Sequence, residues 1–233
     1  MESQNPVISA SILAADLWQL GQLVEAATEG GIDRLHVDVM DGHFVPNLAL
    51  GVHSVRCLRE HSQLPIEVHL MVENPDRHLA AFIEAGASLV IVHVEVAPHL
   101  HRLLTSLHEC GVRAGVALNP STPTVAVSEV LDIADQILVM TVNPGYAGQK
   151  FLPSALRKVS QLHELRTRLG HRFEIAVDGG INPETAPQAR QAGADVFAAA
   201  SAIFRAESVP DAVRQLREAI DSAAAHAAES ATG

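Results

Sequence analysis

Aromatic residues are scarce in this sequence: they make up 3% of the 233 residues, whereas hydrophobic residues as a whole make up 48%. The core must therefore be built mainly from aliphatic side chains, which suit the close packing of strands against helices. A chain of this length fits one large domain or two small ones, and single barrels of strands and helices commonly reach this size.

Cysteine is also scarce, with Cys57 and Cys110 the two in the chain. Cys57 falls in one predicted helix and Cys110 at the end of another, and their spacing matches neither a metal-binding nor a redox motif. We therefore expect two buried thiols in a protein of a reducing compartment.

The sequence lacks an excess of basic residues: its formal net charge is −11, and it contains no basic run. This balance argues against nucleic acid or an anionic membrane as a partner. No apolar run reaches the length of a transmembrane helix, and the first residues do not resemble the basic start of a signal peptide. We therefore expect a cytoplasmic protein.

Strand and helix patterns alternate along the chain, with no change of composition and no linker between them. The predicted strands cover residues 6–13, 35–40, 65–71, 88–94, 112–118, 136–142, 173–177 and 195–200. The predicted helices cover residues 14–28, 52–61, 75–86, 98–109, a short segment after Pro123, 153–169, 183–192 and 209–224. This alternation predicts an α/β fold, a single (β/α)8 TIM barrel over residues 1–233, with a frayed tail from about residue 225. A doubly wound open sheet would usually need fewer strands, and no GxGxxG motif follows the first strand.

The second predicted strand carries an unusual polar face. In the segment RLHVDVMDGHFVPNLALG (residues 34–51), apolar residues alternate with His36, Asp38 and Met40, which places those three on one side of a strand. A histidine and an aspartate two apart can bind one metal ion together, although an isolated pair of this kind is more often structural.

The carboxyl ends of barrel strands meet at one rim, where reactive residues lie. The predicted strands place two histidines and two aspartates there: His36, Asp38, His69 and Asp178. Together these residue types predict a site for one first-row divalent metal ion. Glu67 either supports His69 as a hydrogen-bond partner or belongs to the barrel floor, and we expect His93 to be structural.

Three methionines lie near strand ends: Met40, Met71 and Met140. Met40 follows Asp38 by two residues and Met71 follows His69 by two, which keeps each on the same face as the polar residue. The methionines would cover the rim as polarisable apolar caps, although core packing is the more common role for any single methionine.

Small residues follow the last three predicted strands, in Gly145-Tyr146-Ala147-Gly148, in Gly179-Gly180 and in Ala200-Ser201. Loops in this part of a barrel, together with a helix N-terminus, usually bind phosphate through backbone N–H groups. The three segments together predict a phosphorylated small molecule as ligand.

Five segments of the chain match motifs of one enzyme family: SxSIL at residues 9–13, HVDVMDGHFVPN at 36–47, HLMV at 69–72, VMTVNPGYAGQKF at 139–151 and VDGGIN at 177–182. Together they resemble ribulose-phosphate 3-epimerase, over nearly the whole chain. The resemblance implies a metal-dependent isomerase of carbohydrate metabolism, which interconverts D-ribulose 5-phosphate and D-xylulose 5-phosphate in the pentose phosphate pathway.

The resemblance also implies roles for residues at matching positions. One divalent cation, which could be zinc, iron(II), manganese or cobalt, would be bound by His36, Asp38, His69 and Asp178. Asp38 and Asp178 would exchange protons at C3 through an enediolate, and Met40, Met71 and Met140 would cap it. Contacts to substrate would come from Ser11, His69, Gly145, Tyr146, Ala147, Gly148, Asp178, Gly179, Gly180, Ala200 and Ser201.

The chain departs from the family at Ala147 and Ala200, where glycine is common in the family. Ala147 also resembles the related allulose-6-phosphate 3-epimerases, so a hexulose phosphate is an alternative substrate. A non-catalytic phosphate-sugar-binding barrel is another alternative, as is a metal-free phosphate-binding barrel such as an indole-glycerol or orotidine enzyme. We expect a small sugar phosphate as the partner, and a homo-oligomer as the assembly.

Overall fold

A computed structural model describes residues 5–231 of the chain, with side chains up to residue 223. The strands are β1 (Val7–Ser11), β2 (Arg34–Asp41), β3 (Leu48–Ala49), β4 (Ile66–Met71), β5 (Leu89–His93), β6 (Arg113–Leu118), β7 (Gln136–Met140), β8 (Glu174–Asp178) and β9 (Val196–Ala199). All except β3 are parallel, in the order β1-β9-β8-β7-β6-β5-β4-β2, and pairing of β1 with β2 closes the ring. The described strands therefore form a closed parallel barrel surrounded by helices, which confirms the predicted TIM barrel.

The helices are α1 (Leu20–Gly30), α2 (Val52–His61), α3 (Leu79–Glu84), α4 (Leu100–Glu109), α5 (Leu156–Leu169), α6 (Ala186–Ala192), α7 (Ser201–Phe204) and α8 (Val209–Ala231). Short 3-10 turns lie at Ile12–Ala14, Pro75–Arg77, Val94–Val96, Thr124–Val130 and Pro153–Ala155. The antiparallel β3 and the short α7 are additions to the predicted elements. No helix in the described part of the chain is long and apolar enough to cross a membrane.

The first helix begins later than the sequence pattern predicts. Where a helix is predicted from residue 14, the chain makes a 3-10 turn and then a bend in which Asp16 Oδ1 accepts the backbone N–H of Trp18 at 3.0 Å. Leu17, inside the predicted helix, therefore lies outside α1 and is 68% exposed, so the predicted start at residue 14 is wrong. Turn formation by the aspartate competes with helix formation here.

The last helix ends later than predicted. Its backbone is helical to Ala231, beyond the predicted end at residue 224. The predicted fraying of the tail from about residue 225 stays a prediction.

Both cysteines are exposed free thiols, so the prediction that they are buried is wrong. On α2 the buried residues are Val55 and Leu58, three positions apart. Cys57 lies between them in sequence and so falls on the outer side of the helix. Cys110 lies just past the end of α4, in the exposed turn that leads into β6.

The strands separate two apolar layers. Leu35 and Val37 of β2 face outward and pack in the large core between the strands and the helices. Ile91 and Leu138 face inward and belong to a second cluster that fills the barrel. The barrel interior is therefore packed, and open space is left for a ligand at its mouth.

A buried polar network closes the floor of the barrel. Arg34 donates to Glu67 Oε1 at 2.8 Å and to Glu174 Oε1 at 2.6 Å, and Ser9 donates to Glu67 Oε2 at 2.7 Å. Burial opposes ionisation of Glu67, but the hydrogen bond and charge of His36, with the charge of Arg34, outweigh it and lower the pKa of Glu67 to about 2. Of the two roles left open for Glu67, the structure shows the floor carboxylate, with His36 rather than His69 as its histidine partner.

Candidate active site

Strand register brings the predicted site residues to one level at the mouth of the barrel. Asp38 of β2 lies opposite His69 of β4, and Met40 lies opposite Met71. On the other side of the barrel, Asp178 of β8 is next to the end of β7. Because parallel strands end together, residues far apart in sequence share one rim.

Four side chains form a compact cluster there, with ligand atoms within 4.8 Å of one another: His36, Asp38, His69 and Asp178. His69 Nδ1 lies 2.9 Å from Asp38 Oδ1 and 3.8 Å from Asp178 Oδ2. Ser11 donates to the other oxygen of Asp38, Oδ2, at 2.7 Å. The set predicted from the strand ends is therefore assembled in one place.

One ring nitrogen of His36 contacts the floor carboxylate Glu67, and the other faces the cluster. Its Nδ1 faces Glu67 Oε2 at 3.2 Å, and since a carboxylate only accepts, Nδ1 carries the proton. Its Nε2 is buried, lies 3.3 Å from Asp38 Oδ1 and has no hydrogen-bond partner among the described residues. An unpartnered imidazole nitrogen beside two carboxylates is a donor set that fits a divalent cation.

The two carboxylates of the cluster differ in their tendency to ionise. Burial opposes ionisation of Asp38, but the positive charge of His36 outweighs it and holds the pKa of Asp38 well below its usual range. Burial and the neighbouring charge of Asp38 raise the pKa of Asp178 to about 7. One carboxylate is thus ionised at neutral pH while the other can hold a proton.

The two histidines also differ in their affinity for protons. Burial opposes protonation of His36, but the charge of Asp38 outweighs it and holds the pKa of His36 well above its usual value. Burial lowers the pKa of His69 to about 4. His69 is therefore neutral at pH 7, as a metal ligand must be.

His69 is connected outward to residues that the sequence pattern did not associate with it. Its Nε2 lies 2.9 Å from Nε2 of His93, whose Nδ1 lies 3.0 Å from Oε2 of Glu95. His93 is completely buried, and the ring of Phe44 packs on it with 4.6 Å between centroids. The spacing His93-x-Glu95 repeats that of His36-x-Asp38 at the end of a strand, and that repetition is the sequence signal that could have found it.

An apolar cover lies above the cluster. Met40 and Met71 pack with Val45 in a small cluster over the mouth, and Leu13 and Phe44 pack against it. Met140 reaches the same cavity from the inner core of the barrel. All three methionines are nearly completely buried, so their surfaces face the cavity and not bulk water.

A cavity opens between this cover and the loops after β7, β8 and β9. The predicted residues that line it are Ser11, Asp38, Met40, Met71, Met140, Gly145, Tyr146, Ala147, Gly148, Asp178, Gly179, Gly180, Ala200 and Ser201. The histidines His36 and His69 lie beneath it and do not line it. Six lining residues were not predicted: Leu13, Val142, Pro144, Gln149, Ile181 and Ala198.

The glycine pair after β8 is required by the backbone. Gly179 has φ of 115°, and a Cβ there would lie 2.4 Å from Cγ2 of Val142. Gly180 has φ of 68°, and its Cβ would lie 2.7 Å from the backbone nitrogen of Phe151. A side chain at either position would therefore be strained and would collide, so the bare backbone forms this wall of the cavity.

Two side chains fasten the loop after β7. Gln149 donates from Nε2 to the carbonyl oxygens of Asn143 at 2.6 Å and Tyr146 at 3.0 Å. Asn47, in the loop after β2, donates to the carbonyl oxygen of Gly145 at 3.2 Å. The loop that resembles a phosphate-binding segment is thus held in shape by its own residues and by the loop after β2.

Comparison with known proteins agrees with this geometry. The model of the Ribulose-phosphate 3 epimerase family matches residues 7–204. The chain belongs to the ribulose-phosphate 3-epimerase family. A ribulose-phosphate 3-epimerase of Bacillus subtilis (strain 168) is 44% identical over 211 residues, which are 90% of this chain and 97% of that relative. One of Methanocaldococcus jannaschii is 45% identical over 212 residues, which are 91% of this chain and 90% of that relative.

Membership of the ribulose-phosphate 3-epimerase family confirms the resemblance seen in the sequence motifs. Among solved structures, the match to 3-hexulose-6-phosphate synthase from Salmonella typhimurium covers 93% of this chain and 99% of that one, with a TM-score of 0.70 and 17% identity. At that identity the likeness shows the fold alone.

Proposed function

We propose that the protein inverts the configuration at C3 of D-ribulose 5-phosphate to give D-xylulose 5-phosphate. The observation that carries the proposal is the position of Asp38 and Asp178. They come from β2 and β8, on either side of the mouth, and both belong to the cluster of possible metal ligands beside the cavity. Relatives named ribulose-phosphate 3-epimerase match nearly the full chain, which supports the same activity here.

Removal of the C3 proton is the chemical problem that this site would solve. The proton lies next to the C2 ketone, and its removal leaves negative charge on the ketone oxygen. One divalent cation held by His36, Asp38, His69 and Asp178 would supply Lewis-acid stabilisation of that charge. The unpartnered Nε2 of His36 supports this proposal, because a buried nitrogen without a hydrogen bond is costly unless a ligand occupies it.

Inversion requires an acid and a base on opposite faces of a flat intermediate. Asp38, whose pKa lies well below its usual range, is a carboxylate at neutral pH, and that is the form of the side chain that can take the proton from one face. Asp178, with a pKa of about 7, is able to deliver a proton to the other face. Neighbouring carboxylates whose environments separate their pKa values are typical of acid/base pairs. In the reverse direction the two residues exchange roles.

The remaining lining residues would orient the substrate and keep water from it. Met40, Met71 and Met140 would lie against the planar intermediate, where a water molecule could otherwise protonate it at random. The backbone N–H groups of the glycine-containing loops after β7 and β8, and of Ser201, would bind the phosphate. Proton transfer and phosphate binding would then take place in different parts of one cavity.

A single comparison tests the function and its alternative. The protein, with its metal content measured, is assayed in coupled reactions with D-ribulose 5-phosphate and with D-allulose 6-phosphate. We expect kcat/KM to favour the pentulose phosphate by about tenfold or more, which is roughly 1.4 kcal/mol of transition-state discrimination. A preference for the hexulose phosphate would assign the chain to the alternative substrate suggested by Ala147. No turnover of either by metal-loaded protein would contradict the proposal and favour a non-catalytic binding barrel.

The metal is tested separately. Purified wild type should hold about one divalent ion per chain. We expect His36→Ala and His69→Ala to lose it, and the matched variant His101→Ala, at an exposed histidine on α4, to keep it. Full metal content in both cluster variants would show that these histidines are not ligands.

A further inference from the structure

Behind His69 lies a chain of hydrogen-bonded polar groups that the proposed reaction does not use, and it leads from buried His93 to Glu95 at the surface. It runs from His69 to His93, from His93 to Glu95, and from Glu95 to the start of the loop after β6. His93 ends β5 and Glu95 lies in the 3-10 turn that follows it. This chain leads away from the cavity, so its effect on the site must pass through His69.

At the outer end of the chain, both carboxylate oxygens of Glu95 have hydrogen-bond partners. Oε1 of Glu95 accepts the backbone N–H of Asn119 at 2.8 Å and the hydroxyl of Thr122, while Oε2 faces His93 Nδ1 at 3.0 Å. Burial opposes ionisation of Glu95, but hydrogen bonds from His93, Thr122 and Asn119 outweigh it and lower its pKa to about 2. An ionised carboxylate can only accept, so the nitrogen of His93 that faces it must carry a proton.

The direction of every hydrogen bond in the chain then follows. With a single proton, on Nδ1, His93 presents the lone pair of Nε2 to His69, 2.9 Å away. The ring centroids lie 5.0 Å apart, well beyond the 2.9 Å between the two nitrogens, so the rings meet through those nitrogens. His69 must therefore carry its proton on Nε2, which leaves the lone pair of Nδ1 directed at Asp38 and Asp178.

The chain has three contacts between polar groups and two N–H groups to fill them. Three contacts join the carboxylate of Asp38, the two rings and the carboxylate of Glu95. Two neutral imidazoles carry two N–H groups, which satisfy the contacts at Glu95 and between the rings. The third contact, at His69 Nδ1, is left with a lone pair facing carboxylate oxygens, and a cation bound there takes the place of the missing proton.

We propose that Glu95, acting through His93, is a positioning residue that fixes the tautomer of His69 and so directs Nδ1 of His69 toward the bound metal. The inference rests on the proposed metal centre and adds to it two residues outside the cluster. His36 has a carboxylate, Glu67, directly behind it, whereas His69 has one behind it through an intervening imidazole. Both histidines of the cluster are thus oriented by an acceptor on the side away from the metal.

Glu95→Gln is the informative substitution because an amide reverses the direction of the hydrogen bonds along the chain. Asn119 and Thr122 both donate, so they hold the amide oxygen, and the amide NH2 then faces His93 Nδ1. That nitrogen becomes an acceptor, the proton of His93 moves to Nε2, and the proton of His69 moves to Nδ1. A proton on Nδ1 competes directly with the metal.

The test measures metal affinity and tautomers, not activity alone. Chelator competition with zinc is carried out on wild type, on Glu95→Gln, and on Glu84→Gln, which removes the same charge from an exposed position on α3. We expect Glu95→Gln to bind zinc about 10- to 100-fold more weakly, and Glu84→Gln to match wild type. Glu95→Asp, which keeps an acceptor-only carboxylate, should lie between them. Saturating zinc should restore most of the kcat of Glu95→Gln, because the residue touches no substrate.

Nitrogen-15 NMR of the zinc-loaded wild type should show the proton of His93 on Nδ1 and that of His69 on Nε2. Circular dichroism melting confirms that each variant is folded. The proposal is overturned if His93 carries its proton on Nε2 in wild type, or if folded Glu95→Gln binds zinc as tightly as wild type does. A wild type that binds no zinc defeats the metal centre itself, which separates failure of the proposed function from failure of the positioning role.

Discussion

Asp38 and Asp178 have opposite surroundings within one cluster, and the proposed chemistry depends on that difference. Asp38 receives a hydrogen bond from Ser11 and lies beside the charge of His36, and both favour its ionised form. Burial and the nearby charge of Asp38 favour the protonated form of Asp178. The difference follows from which neighbours each strand end presents, not from residue type.

The amides Asp38→Asn and Asp178→Asn test the acid/base roles. Each should lower kcat by about a thousandfold or more, because an amide neither accepts nor delivers the C3 proton at neutral pH. Both residues are proposed ligands, so metal content is measured on the same samples. The decisive result is a variant that keeps its metal and exchanges the C3 proton of one epimer without inverting it. Near wild-type turnover by either metal-loaded variant would contradict the two-carboxylate mechanism.

Metal affinity should depend on pH in a direction that the cluster sets. Without metal, the pKa of His36 lies well above its usual value and that of Asp178 is about 7, so both hold protons below neutrality. A metal competes with those protons for the cluster, and its apparent affinity should therefore rise between about pH 6 and 8. Chelator competition across this range measures it. An affinity that is flat, or that falls with increasing pH, would contradict the assignment of these ligands.

At the scale of single elements, strand ends are the part of the site that sequence predicts well. The period-2 alternation in β2 placed His36 and Asp38 on one face, and the barrel rule placed His69 and Asp178 on the same rim. Helix starts were less predictable: the turn made by Asp16 delays α1 and exposes Leu17. Such side-chain hydrogen bonds depend on local geometry that hydrophobic periodicity does not report.

The start of α7 offers a prediction about the phosphate-binding loops. Ala200 has φ of −109°, so glycine is not required by its backbone, and its side chain lines the cavity. Removal of that methyl group should let a phosphate approach the backbone more closely. Ala200→Gly should therefore lower KM for the sugar phosphate by about threefold, or roughly 0.6 kcal/mol, with little change in kcat. Ala206→Gly, outside the cavity lining, is the control. An unchanged or raised KM would show that the methyl group does not restrict the phosphate.

At the scale of the whole molecule, closure of the barrel creates contacts that no local pattern predicts. Arg34 and Glu174 are 140 residues apart and bind each other in the floor, and Glu67 joins them from a third strand. The fold class follows from the alternation of strands and helices, but the partner of each buried charge depends on strand order and register. The same holds for His93, whose connection to His69 exists only because β4 and β5 are neighbours. The homo-oligomer and the cytoplasmic location stay predictions.

Glu67 links the floor network to stability. Its pKa is about 2 in the folded protein, against 4.5 for the free side chain, so its contribution is fully present above about pH 4.5 and is lost as pH falls toward 2. Glu67→Gln leaves Arg34 and His36 with a neutral partner and should destabilise the metal-free protein by about 3 kcal/mol near neutral pH. Thermal melting of both proteins in chelator should show the gap narrowing below about pH 4.5. The control is Glu60→Gln, at an exposed site on α2. A gap independent of pH would contradict the role of the Glu67 charge.

The central claim is metal-dependent inversion at C3 by two carboxylates that exchange protons with solvent. The most direct measurement is proton NMR of D-ribulose 5-phosphate incubated in deuterated water with chelated protein and with the same protein after metal is restored. We expect no reaction without metal. With metal, D-xylulose 5-phosphate should form with deuterium at C3, because the proton removed by one aspartate is not the one returned by the other. Equal turnover without metal, or a product that keeps the original hydrogen at C3, would contradict the account.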